Sequence, residues 1–252
     1  MSNLQIKTID QVIAALDQII LDCIENEDCA GYFAALYRKV TIKVKEGIEQ
    51  NTFQNGPRME HLDVVFATRY IRAYEAYKND QPLTHSWQVA FDLSLQYWPI
   101  VLQHLLIGMN AHINLDLGIA AAEISENKNI DNLQEDFDKI NVILSSLVHE
   151  VDDDLAEVWP TFRIIVKALG KVDDYLVDFS MKLARDGAWK FAKELSETPD
   201  QLKNEMISTR DQKVSRKAGL ITRPGFLIST IFKWIRLGER GSVAKKIEDL
   251  KN

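Results

Sequence analysis

The stretch from Trp98 to Ala122 contains no lysine or arginine and turns an apolar residue to every side of a helical wheel. A helix with no polar face has to be surrounded, by protein or by lipid. Gln103, His104, Asn110, His112, Asn114 and Asp116 fall inside this window and decide between the two. Each would be costly in hydrocarbon unless it faced a polar interior. No second segment of similar character exists to pair with this one in a bilayer. The expectation is therefore a soluble all-α fold, a single-domain multi-helix bundle around a buried central helix at about 99–123.

The rest of the chain supports that class. Proline and glycine are scarce, and apolar residues recur at three and four positions, the helical period, while strand signals are nearly absent. Thr8 and Gln11 form a capping box that opens a first helix running to about Asn26. A second is expected near 31–49, and a third from Pro57, after the Asn55-Gly56 turn signal, to a point before Pro82. A fourth covers Thr84 to Tyr97, and Pro99 begins or kinks the central helix. A polar loop at 125–131 precedes a long amphipathic helix at about 132–159, a helix starting at Pro160 and another at about 171–195. Pro199 and the polar stretch 200–224 loosen the pattern. The division expected is a helical domain at 1–205 and a basic, partly amphipathic helical segment at 206–252.

Thirty basic against thirty-seven acidic residues give a net charge of −7, which argues against nucleic acid as a partner of the whole molecule. Cys23 and Cys29 are too few and wrongly spaced for a disulfide framework or a zinc ribbon. With no secretion-signal pattern at the start, a cytoplasmic location is expected.

Imidazoles, amides and a carboxylate inside a helix core need partners, because each polar group left unpaired costs about 1–3 kcal/mol. On a wheel of about 100° per residue, Gln103, Asn110 and Asn114 form one stripe. His104, His112 and Asp116 lie on another side, with Gly108 leaving room between the histidines. His112 and Asp116, four positions apart, can converge on a divalent metal, the candidate cofactor. Asp63, on the inward arc of the third helix, is the candidate third ligand. His104, Asn110 and Arg69 are the candidate catalytic residues, the first two positioning a reactant and Arg69 holding an anionic group. The competing account is a closed polar network that fixes helix register, with Asp63 and Arg69 paired to each other or to neighbours.

Glu60 stands at the edge of the same arc, His61 projects outward, His85 marks a helix start, and His149 points away from the core face of its helix. Asn141 and Asp152 are weaker candidates for a buried cluster. Asp153, Asp154 and Glu157 spell D-D-x-x-E, a magnesium-binding pattern, but they project opposite the apolar face and read as solvated. Phosphate-loop, serine-hydrolase, zincin and paired E-x-x-H diiron motifs are absent.

Near the C-terminus, basic residues surround the apolar run Phe226, Leu227, Ile228, Ile231, Phe232, Trp234 and Ile235. This basic amphipathic helix can dock on the body, cap a pocket as a lid, or make weak contact with an anionic membrane.

The strings GYFAALYRKVT at 31–41, RMEHLDVVFATRYI at 58–71 and QHLLIGMNAHINLDLGIA at 103–120 resemble a bacterial family catalogued as domain of unknown function 5995. The likeness covers most of the first 190 residues and implies a shared helical fold, with no activity attached. The functional expectation is a metal-dependent or acid-base enzyme acting on a small lipophilic or acyl substrate in an interior site. The alternative is a non-catalytic protein that binds a hydrophobic ligand or associates peripherally with membranes.

Overall fold

The computed structural model describes residues 6–125, 129–140 and 181–251. Among them every regular element is helical. Helix α1 (Ile9–Glu25) starts where expected, with Thr8 accepting the Gln11 N–H at 3.3 Å. The Gln11 side chain closes the box on the N–H of Lys7, one residue earlier than the motif prescribes. Helices α2 (Gly31–Glu49) and α3 (Gly56–Lys78) match their expected spans, and Asn55 caps α3 by accepting from the Arg58 N–H. Helix α4 (His85–Ser94) ends three residues short of Tyr97, where the Ser94 hydroxyl turns back to donate to the Phe91 carbonyl.

The central helix comprises α5 (Val101–Ala111), a π-helical turn at His112–Asp116, and α6 (Leu117–Ile124). Its most apolar window is 94% buried inside the protein. The surroundings are α2, α4 and then, from later in the chain, α8 (Met181–Glu197) and α9 (Asp200–Thr222), with α3 against α6. A 3-10 turn at Ile130–Leu133 leads into α7 at 134–140. Helices α10 (Phe226–Gly238) and α11 (Val243–Lys251) complete the described chain. The later part of the helix expected at 132–159 lies outside the described residues, as does the start of the helix expected from Pro160. So do Asn141, His149, Asp152, Asp153, Asp154 and Glu157.

One expectation is corrected outright: residues 200–222 are a continuous helix beginning directly after Pro199, not a loosened stretch. Its composition is polar because only a narrow seam, Asp211, Val214, Ala218 and Ile221, is buried. The polar stripe of the central helix supplies the rest of the docking. Gln103 donates to the Ile221 carbonyl at 2.7 Å, Asn110 donates to the Val214 carbonyl at 3.1 Å, and Arg210 of α9 donates to the Asn114 carbonyl at 2.8 Å. Helix α9 runs unbroken across residue 205. Phe232, Ile235, Ile247 and Leu250 from α10 and α11 join the same apolar cluster as α1, α2 and α5.

Several acids, most of them buried or half-buried, have a common structural task. A helix start leaves backbone N–H groups unpaired at the positive end of its dipole, and an acid there satisfies both. Glu60 accepts from Ile9, Asp136 from Gln54 and Asn55, Asp211 from His85 and Ser86, Glu239 from Val101, and Glu27 from Val243. Each acid comes from a distant part of the chain, so the caps also fix how helices sit against one another. Asp211→Ala strands two N–H groups, one of them buried, and is expected to cost about 2 kcal/mol. At about 2–4 °C per kcal/mol for a chain of this size, thermal unfolding followed by circular dichroism should show a drop of roughly 4–8 °C.

Candidate active site

The π turn places the chemistry. In it the Leu117 N–H reaches the His112 carbonyl instead of that of Ile113, and such insertions cluster at functional sites. His112 and Asp116 share one face, and Nδ1 of the imidazole stands 3.3 Å from a carboxylate oxygen of Asp116. The same oxygen accepts the indole N–H of Trp87 at 2.8 Å, and the other accepts Arg69 Nε at 2.9 Å. Burial pushes the Asp116 pKa up, but the hydrogen bond from His112, the Arg69 charge and the Trp87 N–H hold its carboxyl below the ordinary value. Burial pulls His112 down, with Asp116 opposing only in part, and the imidazole is neutral. An ionised carboxylate beside a neutral imidazole fixes the tautomer: Nδ1 carries the proton and Nε2 presents a lone pair.

That lone pair has no hydrogen-bond partner among the described residues, although the atom is fully buried. Five aromatic rings surround the imidazole. Phe66 stacks on it with centroids 3.6 Å apart, Tyr37 meets it edge-on at 4.4 Å, and Phe33, Tyr70 and Trp87 stand within 6.0 Å.

His112 borders a cavity of about 70 Å³ lined, among the described residues, by α2, α3, the central helix, α7 and α8. Its walls are mainly apolar, among them Leu36, Val40, Met59, Phe66, Met109 and Phe137. Among the described residues four polar side chains interrupt them: His112, Asp63, Tyr37 and Arg185. Asp63 is buried, and its Oδ2 has no partner among the described residues, nor has the Tyr37 hydroxyl or Arg185 Nε. Burial, aided by the Glu60 charge, raises the Asp63 carboxyl to about 8, so it is protonated at neutral pH and offers an O–H. Arg185 is lowered by burial to about 10 and keeps its charge, with one arm donating to the Phe137 carbonyl at 2.6 Å.

The expected residues therefore separate. His112 and Asp63 border one cavity, whereas Asp116 is spent on His112, Trp87 and Arg69. Arg69 is occupied by Asp116, and Asn110 by α9. His104 packs edge-on to Tyr32 beside a different space of about 20 Å³, where burial, with the Arg236 and Lys246 charges, lowers it to about 3. The room expected at Gly108 between the histidines is filled by the Phe33 ring. Among the described residues no three His, Cys, Asp or Glu side chains stand close enough together to hold a metal ion. Trp87, Tyr37 and Arg185 were not singled out in the sequence; the only signal for Tyr37 is its place in the matched string at 31–41.

The pH dependence has a definite sign. Asp63 binds a proton in the folded state up to about 8 but, unfolded, only to its ordinary 3.8. Its contribution to stability is thus complete below the ordinary value and lost as pH rises through 8. His104 runs the other way: its contribution is present above the ordinary 6.5 and lost as pH falls toward about 3. Between about 7 and 8 the Asp63 effect dominates, because His104, and His112, which burial lowers likewise, have by then lost most of their protons in the unfolded chain. Asp63→Asn should flatten the wild-type decline of unfolding free energy across that interval in urea titrations. Parallel slopes for the two proteins would refute the assignment.

Fold and site together define an all-α protein with an interior apolar cavity and a buried histidine–aspartate dyad. The chain belongs to the family of unknown function DUF5995, whose model matches residues 9–224. Neither the curated proteins nor the solved structures include a match to it.

Proposed function

We infer that the protein takes a small lipophilic acyl compound into this cavity and moves protons on it. The observation that carries this reading is the pair of unanswered polar atoms, His112 Nε2 and Asp63 Oδ2, on one apolar cavity. Natural cores rarely leave such atoms unpaired. The Asp63 O–H and the Arg185 cation both suit a carbonyl or carboxylate oxygen, and the apolar walls suit a short hydrocarbon chain. With the oxygen held there, His112 Nε2 accepts a proton from the neighbouring carbon while Asp63 gives its proton to the oxygen. Asp116 orients the base and stabilises the imidazolium that forms, and Arg69 and Trp87 hold Asp116 in place.

A second reading, storage or transport without reaction, is favoured by one feature. Among the described residues the cavity is lined by no serine, threonine, cysteine or lysine able to form a covalent intermediate.

Calorimetric titration with butyrate, and exchange of the protons next to the carbonyl of a butyryl thioester in heavy water, separate the two. The acid-base reading expects saturable butyrate binding that is lost in Val40→Phe, which fills the cavity, together with exchange that is lost in His112→Gln. Binding without exchange leaves the carrier reading. Absence of binding removes both.

A further inference from the structure

Helix α10 is apolar on two opposite faces, and only one of them is used. Ile228, Ile231, Phe232 and Ile235 turn toward the core, with Phe232 and Ile235 fully buried. On the other side Phe226, Leu227, Thr230, Lys233, Trp234 and Leu237 fall within an arc of about 120° at 100° per residue. Phe226 is 90% exposed, Trp234 70% and Leu237 64%. Tyr97 and Trp98, also exposed, extend the patch: Lys233 lies over the Trp98 ring at 5.6 Å and Arg236 over Tyr97 at 4.9 Å.

The charge around this face is one-sided. From Lys213 to Lys246 the chain carries nine lysines and arginines and one acid, Glu239, in a protein whose net charge is −7. Glu239 is turned inward onto the Val101 N–H, Arg236 and Lys246. Lys213, Arg216, Lys217, Arg223, Lys233 and Arg240 are exposed.

We propose that the outer face of α10, with Tyr97 and Trp98, docks on an anionic lipid surface. Bulky apolar side chains on a single helix face, tryptophan and tyrosine at the rim and lysine or arginine beside them match the layered chemistry of a headgroup boundary. A protein partner would favour a patch whose centre is depleted of lysine, whereas Lys233 sits inside this one. The surface is separate from the cavity, since no α10 or α11 residue lines it.

Vesicle co-sedimentation tests this with the full chain. Phosphatidylcholine vesicles containing phosphatidylglycerol should retain the protein, pure phosphatidylcholine should retain much less, and added salt should weaken retention. A Phe226→Ser/Trp234→Ser variant should keep the wild-type melting temperature and partition at least about tenfold less. The proposal is overturned if the mixed vesicles retain nothing or if the variant is retained as well as wild type. It is equally overturned if ultracentrifugation shows a wild-type dimer that the variant abolishes, because the face then belongs to a second copy.

Discussion

Asp116→Ala should lower the unfolding free energy by about 3–5 kcal/mol, the range for removing one partner from a buried ionic network. The carboxylate is 1% exposed and serves three donors at once. Its loss leaves the Trp87 N–H without an acceptor in the core, and the Arg69 charge without a counterion. By the conversion used above, the melting temperature should fall by about 10 °C or more. Asp116→Asn keeps the volume and one acceptor oxygen and should cost visibly less. Its imidazole would no longer be held in one tautomer, so the proton exchange proposed for His112 should fall even where the fold survives. Equal melting temperatures for wild type and Asp116→Ala in thermal circular dichroism would show that the network carries no weight.

Gly108→Ala is expected to be nearly as damaging, for steric reasons. An added Cβ would lie 2.4 Å from Phe33 Cγ and 2.9 Å from Phe33 Cβ, far inside contact distance. Phe33 cannot swing aside freely, because its ring is packed against Tyr37, Tyr70, Trp87 and His112. Overpacking of this kind costs about 1–3 kcal/mol and sometimes more, although alanine is the better helix former on an exposed surface. A double-mutant cycle with Phe33→Leu checks the cause. The pair should be less destabilised than the two single changes added together, since the smaller side chain relieves the contact. Additive effects would place the damage elsewhere.

Why some features were legible in the sequence and others were not follows from the range of the forces involved. Helix α2 was readable to the residue, and α1 and α3 nearly so, because Thr8, Asn55 and Pro57 act through bonds within a few positions of themselves. The burial of the central helix was legible from its lack of any solvent-facing arc, and the approach of His112 to Asp116 from their i, i+4 spacing. Helix α9 was misjudged because its docking relies largely on side chains of Gln103, Asn110 and Arg210 meeting backbone carbonyls of the opposite helix, which leaves only a narrow apolar seam to read. The same limit hid the caps: Asp211 satisfies the start of α4 from 125 or more positions away.

The site shows both sides of this. His112 and Asp63 were picked out by their position on apolar faces, and they do border a common cavity. Periodicity alone could not tell that Asp116 would be consumed by Arg69 and Trp87. Nor could it tell that Phe33 would cross the gap at Gly108 and part His104 from His112. Those outcomes depend on which helices cross there, a property of the assembled bundle.

The central claim is that His112 presents an unprotonated Nε2 to an interior space that accepts a small acyl compound. Nitrogen-15 imidazole spectroscopy at neutral pH, with His112→Gln to assign the signal, tests it directly. The prediction is a single tautomer with the proton on Nδ1, whose Nε2 resonance moves saturably as butyrate is added and stays still in Val40→Phe. A proton on Nε2, or a resonance indifferent to butyrate in the wild type, would contradict it.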